Sequence, residues 1–152
     1  RIKKFFAADS MSGTVFMGDL SSTDSSHWTF KDVYTVKSLP GVGSGNIGFA
    51  YSILIEKLFG DYWLFAGTGD WLNLQGGSAS TTNYFFAVNL KDLKEKPGTL
   101  SKLDPSKPLE IAPNNNGWYI EFGKNERLSA PPTFKNGFVF FATSTVALLL
   151  TI

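Results

Sequence analysis

The stretch Asp61-Tyr62-Trp63-Leu64-Phe65-Ala66-Gly67-Thr68-Gly69-Asp70-Trp71 decides how this chain folds. Residues 62–66 are bulky β-formers without polar alternation, so they read as a strand buried on both faces of its pleat. The run stops at Gly-Thr-Gly, where missing side chains let the backbone turn sharply or approach a neighbouring strand. Two further segments have the same form: residues 14–20 (TVFMGDL) run apolar and break at Gly-Asp, and residues 137–144 (GFVFFATS) break at Ala-Thr-Ser. Buried strands that end in small residues and recur along one chain point to a repeating all-β unit, here unevenly spaced.

Composition agrees. The chain has 152 residues, the size of one domain, with 43% hydrophobic residues, 14 Phe and 15 Gly. Many aromatics together with many glycines favour strands joined by tight turns. Net charge is +1, which offers no electrostatic case for nucleic acid or an acidic membrane surface. The absence of Cys excludes disulfides, thiol catalysis and cysteine metal sites, and the single His27 excludes any site needing two imidazoles. The apolar residues 145–152 are too short to span a bilayer as a helix, which needs about 20 residues, so no transmembrane segment is expected. With no initiator Met and an apolar end, both termini read as interior points of a longer protein.

In chain order, strands are expected at residues 2–8, 14–20, 27–31, 33–39, 49–58, 62–66, 83–90, 118–122 and 138–143, with residues 128–134 extended around two prolines. Lys135-Asn136-Gly137 is a hairpin signal. Residues 43–48 formally match GxGxxG, which in a dinucleotide site follows a strand and opens a helix. Residues 49–59 can be drawn as that helix, but no second βα unit follows and the surrounding pattern is strand, so the match reads as a loop.

The C-terminal third carries a resemblance. Gly117-Trp118-Tyr119-Ile120-Glu121-Phe122, then Glu126-Arg127-Leu128, then Pro131-Pro132-Thr133-Phe134, then residues 136–143 (NGFVFFAT) resemble the β-propeller domain of PilC/PilY-type type IV pilus tip adhesins. Asn125 stands where that family has Gly before Glu-Arg, and Ala142 replaces a Thr. The block Leu64-Phe65-Ala66-Gly67-Thr68-Gly69 with residues 81–88 (TTNYFFAV), and Val15-Phe16-Met17-Gly18-Asp19-Leu20, are similar to two earlier strands of the family. The resemblance implies a fold of about three four-stranded antiparallel blades of a larger propeller, at roughly 40–50 residues per blade. It implies a bacterial cell-surface, outer-membrane or pilus-tip location. The expected partners are pilus subunits or a host or surface ligand, with missing blades of a longer chain or another copy pairing with the open edges.

The resemblance also implies a calcium loop of spaced acids before the Gly-Asp-Leu strand. Counting back from Gly18-Asp19-Leu20 puts those acids at Phe5, Ala7, Asp9 and Gly13, where only Asp9 has a carboxylate. One charge does not repay dehydration of Ca²⁺, so no tight site is expected; Asp19 and Asp24, with Ser22, are the fallback ligands. Trp63 and Trp118 are expected in the core, between blades, where large flat rings fill the wedge; the alternative is a sugar-stacking platform. Trp71 beside Asp70 is the tryptophan best placed for exposure, and the two are candidates for surface binding. Asp70 with Glu121 or Glu126 is a conceivable glycosidase pair, but isolated acids at turns usually form caps. Arg127 reads as a turn anchor, and His27 as a strand surface residue. The leading expectation is a non-enzymatic surface protein. The alternatives are a propeller-type glycosidase or quinoprotein-like enzyme, and a self-contained carbohydrate-binding β-domain.

Overall fold

The runs of β-branched and aromatic residues become strands, and the small and polar residues between them become turns. A computed structural model describes residues 3–39, 48–69, 82–91, 100–104, 106 and 116–145. Its strands, in chain order, are β1 (Lys4–Asp9), β2 (Thr14–Asp19), β3 (Thr29–Thr35), β4 (Leu54–Leu58), β5 (Asp61–Gly67), β6 (Tyr84–Asn89), β7 (Ser101–Lys102), β8 (Gly117–Glu121), β9 (Glu126–Leu128), β10 (Thr133–Lys135), β11 (Phe138–Phe140) and β12 (Thr143–Thr145). Helical structure among the described residues is confined to the 3-10 turns Ser25–His27 and Val36–Ser38 and to Lys91. The protein is therefore all-β, built from antiparallel sheets.

The sheets stack in three layers. The first is the antiparallel sheet β1-β2-β3. The second runs β4-β5-β6-β8-β7, antiparallel except that β7 lies parallel to β8. The third consists of two ribbons, β9 with β12 and β10 with β11. Alternation along β5, β6 and β8 explains the stacking, because successive side chains leave opposite faces of a strand. Leu64, Ala66, Phe86, Val88 and Tyr119 point to the first layer and meet Val15, Met17, Val33 and Tyr34. Trp63, Phe65, Phe85, Ala87, Trp118 and Ile120 point the other way and meet Leu128, Val139 and Phe141 of the third layer. The central sheet is thus apolar on both sides, and all six residues of β6 are buried. Each fully buried large side chain contributes about 1.5–3 kcal/mol relative to exposure.

Local rules set the joints. Leu58 pairs with Asp61 across Phe59 and Gly60, whose φ values are 54° and 91°. Lys135 pairs with Phe138 across Asn136 and Gly137, at 52° and 83°. Positive φ at both central residues matches the right-handed twist of a two-residue hairpin, as the Asn-Gly signal predicts. The register of β2 on β3 shifts at Val15/Phe16, a bulge that lets neighbouring Val33 and Tyr34 both enter the core.

Several expectations need correction. Residues 49–58 do not form one strand. Phe49 makes an isolated bridge to Thr68, residues 50 and 51 bend, residues 52 and 53 are irregular, and only Leu54–Leu58 pair. They are not helical either, so Gly48 opens no helix; positions 43–47 of the glycine-rich match lie outside the described residues. The two strands expected at 27–31 and 33–39 are one strand, β3, followed by a 3-10 turn. The segment 138–143 is not a core strand. β11 ends at Phe140, β12 returns to pair with β9, and Phe138 and Phe140 face outward at 67% and 58% exposure. Only Val139 and Phe141 reach the core.

Candidate interaction surfaces and the inter-layer seam

A polar seam joins the second and third layers. Thr68 N–H donates to the Tyr84 carbonyl at 2.8 Å, and its Oγ1 accepts from Tyr84 N–H at 2.8 Å. Thr68 Oγ1 lies 3.4 Å from Asn83 Oδ1, and Asn83 Nδ2 donates to the Glu126 carbonyl at 3.0 Å. Glu126 Oε2 accepts from Gly123 N–H at 2.8 Å, and Oε1 accepts from Thr143 Oγ1 at 2.6 Å. Beside the seam, Gly67 lets Leu128 approach so closely that an added Cβ would stand 2.7 Å from Leu128 Cδ2. Gly67, Thr68, Asn83, Glu126 and Thr143 are far apart in sequence, yet they converge here. The carboxylate of Glu126 ties the turn at 123–126 beside Arg127, which lies in β9 opposite Ser144.

The carboxylates considered for chemistry serve local structure. Glu121 pairs with Lys102 at 2.5 Å, and both Glu126 oxygens accept hydrogen bonds; Asp70, their partner in the conceivable glycosidase pair, lies outside the described residues. Asp9, Asp19 and Asp24 each accept the N–H two residues ahead, from Met11, Ser21 and Ser26. Asp19 also binds Lys4 Nζ at 2.8 Å. The Lys4 hydrogen bond and then the Ser21 bonds hold the Asp19 carboxyl well below the usual carboxylate range. Hydrogen bonds from the Ser12 side chain and from Ser26 N–H lower Asp9 and Asp24 respectively. Asp9 pairs with Thr14 and Lys4 with Asp19, so Asp9 and Asp19 lie at opposite ends of the same hairpin. At about 3.4 Å per residue that places them about 17 Å apart, beyond the reach of one cation. Among the described residues no group of three or more acids or histidines is placed to hold a metal ion. His27 ends a 3-10 turn and not a strand, with Nδ1 3.3 Å from Asp24. Asp70 and Trp71 lie outside the described residues.

Of the tryptophans, Trp63 and Trp118 are in the core, as expected, and pack against the third layer. Trp28 is part-exposed and donates Nε1–H to the Ser22 carbonyl at 3.2 Å. A cleft of about 330 Å³ opens where Phe49 N–H meets the Ser10 carbonyl; Ala8, Ala50, Tyr51 and Ser52 complete its walls. Its surface is mainly apolar, with hydroxyls but no carboxylate or base among the described lining residues.

The more extensive features are the two outer faces of the stack. On the first layer, Phe5, Gly18 and Phe30 stand in one cross-strand row, and Ala7, Phe16 and Asp32 in the next. Phe5 lies over Gly18, where an added Cβ would collide with its ring, and meets Phe30 edge-on at 5.9 Å. Phe30 is 65% exposed. On the third layer, Phe138 and Phe140 project outward with Lys135 and Thr133 opposite them. Composition gave no hint of this segregation, which follows from register.

Comparison with protein-family models, with curated proteins and with solved structures finds no match. No helix among the described residues is long and apolar enough to cross a membrane.

Proposed function

We propose that this chain is part of a bacterial cell-surface protein of type IV pilus assembly and adhesion, in which stacked propeller-like sheets act as a scaffold for binding and not for catalysis. The observation that carries the reading is the seam. The blocks that resemble the pilus tip adhesins, Gly67-Thr68, Asn83, Glu126 and Thr143, meet in one hydrogen-bonded joint between layers. Residues with that job support a scaffold, since a scaffold needs fixed joints between sheets and a catalyst needs unspent polar groups. The four neighbouring antiparallel strands β4, β5, β6 and β8, covered on both faces, support a blade in a radial stack. On this reading the first and third layers belong to the blades on either side.

The test is location and phenotype in the source bacterium. Antibodies raised against the purified chain should label the cell surface or pilus tips in immunogold microscopy, and disrupting the reading frame should reduce piliation or attachment. Label confined to the cytoplasm, with piliation and attachment unchanged, refutes the proposal.

A further inference from the structure

The sequence holds two Asn-Gly pairs, at 116–117 and 136–137. Asparagine is a thermolabile side chain. A glycine after it bares the main-chain nitrogen that attacks the carboxamide, since no Cβ shields it. The fold treats the two pairs in opposite ways. Gly117 is buried at the start of β8 with φ 134°, and an added Cβ there would collide with the Ala87 carbonyl oxygen. The Asn116 carbonyl accepts Asn89 N–H at 2.9 Å. The main chain on both sides of that peptide link is thus built into the central sheet.

Asn136 and Gly137 are both exposed at the tip of the β10–β11 hairpin, and nothing lies within 4 Å of a Cβ placed on Gly137. Neither the Asn136 carboxamide nor Gly137 N–H makes a hydrogen bond among the described residues. The ribbon that they close is two-stranded, with three residue pairs. A hairpin of that size has little stability of its own.

We propose that Asn136 is a site of self-modification, converting through a cyclic imide to isoaspartate and aspartate, while Asn116 is protected. Gly137 N gives up its proton and attacks Asn136 Cγ. The Cγ–Nδ2 bond breaks, and Nδ2 leaves as ammonia with that proton. Water then opens the imide: cleavage at Cγ gives aspartate, and cleavage at the main-chain carbonyl carbon gives isoaspartate. The net reaction exchanges water for ammonia and needs no other reactant. Ring closure requires Asn136 to leave its left-handed turn, so its rate follows local opening of the ribbon, whereas Asn116 reacts only when the central sheet opens. Isoaspartate adds a methylene carbon to the main chain, which the two-residue turn cannot absorb. The pairing of Lys135 with Phe138 is then lost, and with it the register that seats Phe134 on Phe65 and Val139 on the second layer. The third layer loosens as a molecule ages, whatever the assembly binds.

The test incubates the purified full chain at mildly alkaline pH, both folded and in urea, and locates isoaspartate by enzymatic methyl labelling and peptide mapping. In urea the two pairs should react at comparable rates. In the folded chain isoaspartate should form at 136 at least about tenfold faster than at 116, a ratio that reports the difference in opening. Asn136→Gln, whose longer side chain closes a less favoured ring, should remove the label at 136, and Asn116→Gln should leave it unchanged. The aged chain, separated by its added negative charge, should exchange the amides of β10 and β11 faster while β6 stays protected. The comparison of folded chain with urea needs no variant, so it decides the matter even if a substitution misfolds. Equal labelling at 116 and 136 in the folded chain, no isoaspartate at 136 by the time the urea sample has reacted, or an aged chain whose ribbon exchanges no faster would overturn the proposal.

Discussion

Replacing Trp118 with alanine tests the core between the second and third layers. The indole is 3% exposed, lies opposite Ala87 on β6 and approaches the Phe85 ring at 5.9 Å. A buried tryptophan removes about 200 Å² from water, which at about 25 cal/mol/Å² gives an upper bound near 5 kcal/mol. The alanine methyl keeps part of this, and partial collapse of the cavity returns more, so the expected loss is about 3–5 kcal/mol. Trp118→Phe is the control. The indole Nε1–H is buried without a hydrogen-bond partner among the described residues, so losing it sacrifices no bond, and most of the ring is retained. Its cost should stay below about 1.5 kcal/mol. Urea unfolding followed by far-ultraviolet circular dichroism measures both variants, with an unchanged m-value as the condition for comparing midpoints. A loss below about 1 kcal/mol for Trp118→Ala refutes the reasoning, since it would mean that the ring is not packed between layers.

Three further outcomes are expected. Gly67→Ala forces a Cβ to 2.7 Å from Leu128 Cδ2 and should destabilise by about 1–3 kcal/mol in the same assay; pairing it with Leu128→Ala should give a cost below the sum of the two single changes, and strict additivity would deny the contact. The folded-state pKa of Asp19 is depressed, so its stabilisation is fully present above the ordinary carboxylate value and fades as pH falls through the folded value. Asp19→Asn should therefore differ most from the parent near neutrality and converge with it in strong acid, and parallel stability curves at all pH values would contradict this. Calorimetric titration with Ca²⁺ should show no micromolar binding, because Asp9, Asp19 and Asp24 are committed to their own turns; micromolar heat abolished by Asp9→Ala would reverse that conclusion.

Where sequence reading succeeded, the deciding physics was local. The unbroken apolar run at 62–66 could only be a strand covered on both sides, and Asn136-Gly137 could only make a tight hairpin. It failed where distant partners decide. Nothing in Phe49-Ala50-Tyr51-Ser52 shows that the chain must first bridge Thr68 and then bend before β4 begins. Residues 138–141 look uniformly apolar, but pairing with β10 turns Phe138 and Phe140 outward and leaves only Val139 and Phe141 to pack. The candidate acids were visible as residues. The Asx turns of Asp9, Asp19 and Asp24 are local, each closed two residues ahead, but the partners of Glu126 and Glu121, Thr143 and Lys102, lie 17 and 19 positions away, and no single stretch displays those pairings.

The enclosure of β6 also governs how the molecule breathes. Its amides pair with β5 on one side and β8 on the other, and every one of its side chains is covered by a flanking layer. Loosening either outer layer alone leaves the ladder intact, so no small fluctuation bares these N–H groups to solvent. Exchange with deuterium along β6 should then proceed only when the whole domain opens, and its slowest amides would report the global free energy of unfolding. The outer ribbons, β10 with β11 in particular, would exchange through smaller excursions. The molecule thus carries a graded scale of opening energies, from its rim to its central strand.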